Sequence, residues 1–193
     1  VGSDKRIGDR FLYPGAGSGG SCFPKDVKAL INTGAQFSVN MSVIKAVDEA
    51  NNFQKSVVFR KLNKAFNNDL NGKVIALWGL SYKPDTDDMR EAPALVIIEK
   101  LIQAGSIVRV FDPVAMEETR HKIGNSVIYC QDMYDACTGA DASALLTEWK
   151  QFRMPEWKRV KELMNGNTII DGRNIYIKEE VVAEGFTYTG IGK

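Results

Sequence analysis

The chain has 193 residues, 44% hydrophobic and 25% charged, with a formal net charge of +1. That mix suits one large or two small globular domains, and the near-neutral balance gives no electrostatic basis for binding nucleic acid or a membrane surface. No apolar run approaches the roughly 20 residues that span a bilayer, and three widely spaced cysteines (22, 130 and 137) with one histidine, His121, argue against a disulfide framework or a zinc site and for a reducing, cytoplasmic setting.

The opening VGSDKRIGDR is neither a signal peptide nor a start methionine, so the chain is expected to be a segment of something longer. Residues 1–21 are turn-rich, and GDRFLYPGAGSGGS reads as loop. A short helix is expected over FPKDVKALINTGA, with Pro24 in its first turn and Gly34 as its stop. The next stretch, residues 38–67, holds no glycine or proline. Its apolar residues, from Val43 and Ile44 to Leu62 and Phe66, recur at helical spacing. Ser38 is a reasonable N-cap. One long central helix of roughly 45 Å is expected, and its apolar stripe needs a domain connector's or a dimer's partner surface.

After DLNGK the pattern changes. VIALWGL is a continuous apolar run, as in a buried parallel strand. The helical stretch APALVIIEKLIQAG leads to a second strand, SIVRVFDP. SVIYC and DASALLTEW supply two more, and the helix-like PEWKRVKELMN precedes a fifth, NTIIDGRN. Strands alternating with helices predict a doubly wound, Rossmann-like parallel sheet. The expected division is residues 1–70 for the loop and central helices and 71–193 for the α/β domain.

Gly15-Ala16-Gly17-Ser18-Gly19-Gly20 fits the spacing of a dinucleotide fingerprint. The context refuses it: a buried strand should precede it and an acidic residue should follow about 20 residues on. A loop that brings backbone N–H groups close to a ligand is the better reading. The first turn of the α/β domain, GLSYKPDTDDMREAP, offers only Gly79 where a pyrophosphate needs several glycines, so this domain is not expected to bind NAD in the usual manner. Lys83, Arg90 and Arg173 fall at the carboxyl ends of predicted strands, where open α/β sheets take ligands, and would suit a diphosphate. Equally, Lys83 and Arg90 could pair with Asp85, Asp87 and Asp88.

Cys22 follows the glycines and opens the predicted helix. A helix N-terminus, Lys25 nearby and an open glycine loop would each favour a reactive thiolate. Asp26, on the same helical face, could position a water. A buried structural cysteine remains the competing reading for Cys22, and it is the reading for Cys130 and Cys137.

GSGGSCFPKDVKAL resembles the active-site segment of the UDP-glucose 6-dehydrogenase family. GLSYKPDTDDMREAPAL is similar to the opening of that family's UDP-binding domain, and FDP, TEW and IIDGRN look like its later landmarks, in order. The resemblance covers nearly the whole chain and implies NAD-dependent twofold oxidation of UDP-glucose to UDP-glucuronate, with the family's N-terminal NAD domain absent and the segment inactive alone. It implies Cys22 as nucleophile and Asp26 as its assistant in proton transfer or hydrolysis. Lys25 and Arg90 would lie near NAD. Phe11, Leu12, Tyr13, Pro14, Gly15 and Gly19 would wrap the substrate, with Tyr82, Lys83 and Arg173 as further contacts. Arg6 would reach the neighbouring subunit's sugar nucleotide, and the long helix with Asn51 and Gln54 would form a homodimer. GDP-mannose 6-dehydrogenase, or a non-catalytic nucleotide-sugar-binding module, would be the alternatives.

Overall fold

The computed structural model describes residues 3–8 and 12–192. Three helices, α1 (Phe23–Gln36), α2 (Ser42–Gln54) and α3 (Val57–Ala65), lead into the alternating part. There the strands are β1 (Val74–Trp78), β2 (Ile107–Phe111), β3 (Ile128–Tyr129), β4 (Ala142–Leu145), β5 (Thr168–Asp171) and β6 (Thr187–Gly190). Between them run α4 (Pro93–Gln103), α5 (Met116–Ile123), α6 (Met133–Cys137), α7 (Trp157–Leu163) and α8 (Lys178–Ala183). None of the described helices is long and apolar enough to cross a membrane.

The sheet runs β3-β2-β1-β4-β5-β6 with every pairing parallel. That order is the doubly wound arrangement the strand–helix alternation predicts. β6 is an addition: TYTG carries too little apolar character to announce itself as a strand. Successive residues of β1 enter opposite faces of the sheet. Ile75 and Leu77 join a core with Val58, Leu62, Ile97 and Leu101, whereas Ala76 and Trp78 join one with Phe152, Val160, Tyr176 and Phe186. Covered on both faces, β1 is apolar at every position, hence its unbroken hydrophobic run. The first core takes in α3, which lies before residue 70 in sequence.

The expected long helix is interrupted. α2 and α3 are separated by a turn at Lys55 and Ser56. Phe53 O leaves the regular ladder and accepts instead from Ser56 N, Ser56 Oγ and Arg60 Nη1. Side chains competing for a mid-helix carbonyl are a recognised cause of bending. The break also aims Lys55 inward, where it is 4% exposed.

Two helix boundaries differ from expectation. Ser38 does not cap α2; it ends α1, in the left-handed region at φ 56. Val39 N bonds Gly34 O at 2.8 Å and Ser38 N bonds Ala35 O at 3.3 Å, the paired bonds of a Schellman stop. Gly34 therefore lies inside α1 rather than beyond it, and its missing Cβ leaves room for Met41.

Candidate functional site

The glycine loop is a close-packed crossing between the N-terminal helices and the carboxyl edge of the sheet. A Cβ on Gly15 would meet the Arg173 guanidinium, one on Gly17 would meet Lys55 and Asn51, one on Gly19 would meet Glu91 O, and one on Gly20 would meet the Tyr82 ring. Asn51 fastens the loop from α2: its Oδ1 accepts from Ser18 N at 2.8 Å and from Ser18 Oγ at 3.1 Å, and its Nδ2 donates to Ser18 O. Gln54 Nε2 donates to Gly15 O at 2.7 Å. From the sheet side, Gly20 N donates to Arg90 O at 2.8 Å. The glycine spacing thus serves backbone approach to protein groups on both sides.

Two clefts open along this loop. One, of about 420 Å³, is lined by Tyr13, Gly15, Gly17, Ser18, Gly19, Tyr82 and Arg173. Arg173 leaves the carboxyl end of β5, its amide fixed on Asp171 Oδ1 at 3.0 Å. Its guanidinium is held by Glu148, with Nε 2.7 Å from Oε2 and Nη2 donating to Oε1 at 2.8 Å. A planar cation oriented this way at a cleft edge suits a phosphate or diphosphate.

The other cleft, about 710 Å³, is lined by Gly20, Ser21, Cys22, Lys25, Lys28, Ala29, Asn32, Arg90 and Glu91. Cys22 is exposed, at the N-cap position of α1, and its carbonyl accepts the first helical bond, from Asp26 N at 2.9 Å. Ser21 Oγ lies 3.6 Å from the sulfur. Three cations, Lys25, Lys28 and Arg90, share the cleft with the thiol. The other two cysteines are buried, and desolvation pushes the Cys130 thiol up to about 11 and the Cys137 thiol up to about 12. Only Cys22 has both exposure and a cleft.

The sheet's own crevice is filled by the protein. Gly79, at the end of β1 with φ 90, is packed against Thr147. Asp112, just past β2, stands where a dinucleotide-binding sheet keeps an acid free for a ribose. Here it is buried and fully engaged. Oδ2 accepts from Leu80 N, Ser81 N, Ser81 Oγ and Trp149 Nε1, and Oδ1 accepts from Val114 N and Ala115 N. These residues do not fit NAD at this edge. The cationic lining of the Cys22 cleft does fit one anionic side of such a molecule.

Residues 76–178 match the model of the UDP-binding domain of the UDP-glucose/GDP-mannose dehydrogenase family, and residues 1–53 match its central domain. The chain belongs to the UDP-glucose/GDP-mannose dehydrogenase family. It is 43% identical over its whole length to a UDP-glucose 6-dehydrogenase of Pseudomonas aeruginosa and 40% identical to one of Rhizobium meliloti. It spans 44% of each of those relatives. Among solved structures, a UDP-glucose dehydrogenase from Pyrobaculum islandicum superimposes with a TM-score of 0.85 at 33% identity, over 98% of this chain and 41% of that one. A GDP-mannose dehydrogenase from Pseudomonas aeruginosa gives 0.75 at 25% identity, over 97% and 42%.

The residues expected to serve this dehydrogenase family distribute as follows. Cys22, Lys25 and Arg90 share one cleft, and Tyr13, Gly15, Gly19, Tyr82 and Arg173 share the other. Arg90 also makes the expected alternative pairing, with Nη2 2.8 Å from Asp88 Oδ2, which holds the Asp88 carboxyl below its usual range. Lys25 Nζ lies 3.6 Å from Asp26 Oδ1, and Asp26 itself lines neither cleft. Lys83 stands exposed with its ammonium 5.4 Å from the Tyr82 ring centre, outside both linings. Leu12 and Pro14 are exposed, Arg6 pairs with Asp4 at 2.7 Å, and Phe11 lies outside the described residues. Sequence reasoning missed Glu148, Lys28, Lys55 and Glu91. Each works through a partner far away in sequence; Lys28, Glu91 and Glu148 stood inside motifs already singled out, but none of the three carried a local signal of its own.

Proposed function

We propose that the chain is the cysteine-bearing and UDP-sugar-binding part of an NAD-dependent UDP-glucose 6-dehydrogenase, whose dinucleotide domain lies outside this sequence. The observation that carries the reading is that Cys22 and the Arg173 cleft lie on opposite ends of one glycine loop. A diphosphate held by Arg173, with its base beside Tyr13 and Tyr82, would send its sugar along the loop toward the thiol. Cys22 would add to the C6 aldehyde formed from the primary alcohol, giving a thiohemiacetal. Oxidation of that adduct yields a thioester, which water hydrolyses to the carboxylate and the free thiol. NAD⁺, when bound, supplies the hydride acceptor for both oxidations, and Lys25 and Arg90 would meet it. Asp26 would orient the hydrolytic water or take its proton. A homodimer through residues 38–67 belongs to the same reading.

Iodoacetamide labelling followed by peptide mass analysis tests it. At pH 7 Cys22 should label while Cys130 and Cys137 stay unmodified, and UDP-glucose should protect Cys22. Protection by GDP-mannose in place of UDP-glucose would move the reading to the sister enzyme. UDP-sugar binding without any protection of Cys22 would leave a binding module and end the covalent mechanism.

A further inference from the structure

Glu91 stands where three parts of the molecule meet. Its carboxylate accepts from Lys28 Nζ at 2.9 Å and from Lys55 Nζ at 2.7 Å. Lys28 belongs to α1, less than two turns along from Cys22. Lys55 sits at the break between α2 and α3, and Glu91 itself follows β1 on the α/β side. The main chain is committed as well. Glu91 O lies against Gly19, the preceding carbonyl accepts from Gly20 N, and Glu91 adopts φ 54. A non-glycine residue holds that conformation only where its surroundings over-determine it. Lys55 and then Lys28 lower the Glu91 carboxyl from its ordinary value to about 2, so it stays ionised at any physiological pH.

The helix this carboxylate grips has little else to fix it. α1 is 14 residues long, packs on α2, and buries only Pro24 and Gly34. Phe23 and Leu30 are exposed. With so small an apolar anchor, the direction of α1 relative to the sheet depends on polar ties, and among the described residues Lys28–Glu91 is a side-chain tie that joins it directly to the α/β half.

We propose that Glu91 is a positioning residue, an ionic latch that holds the Cys22 helix in register with the nucleotide-binding cleft so that a bound sugar reaches the thiol. The inference rests on the reading of Cys22 as nucleophile. Glu91 lines the Cys22 cleft and takes no part in the Arg173 cleft, so nucleotide affinity and delivery of the sugar to Cys22 are separable.

The test compares the unaltered chain with Glu91→Gln and Lys28→Gln. The second variant removes only the half-exposed arm, so it keeps the test valid if the first fails to fold. Rates of Cys22 alkylation by iodoacetamide are measured with and without saturating UDP-glucose, alongside UDP affinity by calorimetry and thermal melting. We expect the protection of Cys22 to fall at least about fivefold in both variants, at the low end of site-to-site couplings. UDP affinity should stay within about twofold, a change smaller than one such coupling, and Lys28→Gln should melt like the unaltered chain. Unchanged protection in the variants overturns the latch alone. UDP affinity falling in step with protection also overturns it, because the residue would then be supporting the fold at large. Absence of protection in the unaltered chain overturns the nucleophile reading and the latch with it.

Discussion

Cys22 differs from its two fellow cysteines by environment rather than by chemistry. Burial holds the Cys130 and Cys137 thiols at about 11 and about 12, whereas Cys22 faces a cleft with three cations. In a full-length enzyme, Cys22→Ala should abolish product formation and leave UDP affinity intact; normal turnover in an NADH absorbance assay would refute the covalent route. At Arg173 the expected loss lies in binding. Removing a guanidinium oriented by Glu148 should weaken UDP affinity by at least about tenfold, on the order of 1.4 kcal/mol, and calorimetry reads that directly. Gly20 offers a third check. At φ 89, against the Tyr82 ring, it has no room for a methyl, so Gly20→Ala should cost about 1–3 kcal/mol in denaturant unfolding. Cys22 and Arg173 were legible as cleft residues because each carries a local signal, a thiol after a flexible run or a cation at a strand end; the glycines announced a close approach of the backbone but not that protein groups make it. Glu148, Lys55 and Glu91 were not, because an ion pair between distant residues leaves no trace in spacing.

At the level of elements, the apolar runs of β1, β2 and β4 spoke for themselves, since a strand covered on both faces has few positions open to polar residues. The helix break did not. No glycine or proline marks Lys55 and Ser56, and the cause is a carbonyl drawn away by Ser56 and Arg60. Ser38 fits a helix start by type and serves a helix stop by conformation, a distinction that only the dihedral angle makes. The loops after β1, β2 and β4 are joined through Asp112. Asp112→Asn would turn an amide N–H₂ toward groups that are themselves donors, and should cost about 3 kcal/mol, read as a lowered urea midpoint. A midpoint unchanged in that variant would mean the three loops hold their places without the carboxylate.

Across the whole molecule, the N-terminal helices are thinly covered. α2 has no buried residue, and Val43 and Phe53 are 73% and 66% exposed. An apolar surface of that kind asks for a partner, so light scattering should find a dimer at high concentration, and Val43→Glu should shift it to monomer. Monomer alone at every concentration would count against the helix pairing. The ties between the two halves also set an acid limit. The Glu91 carboxyl is lowered in the folded chain, so its contribution to stability is present above its ordinary value near 4.5 and fades as the pH falls toward about 2. Glu91 is partly exposed and solvent screens the pair, so the contribution is roughly 1 kcal/mol. Glu91→Gln should therefore flatten the fall in melting temperature between those limits.

The saturated carboxylate of Asp112 has a bearing on how such enzymes can change. A free acid at the second strand is the usual foothold for a coenzyme's ribose. In this sheet the foothold has been converted into an internal staple, and freeing it would strand five N–H donors at once. Redesign of this half toward coenzyme binding would need a coordinated rebuild of three loops.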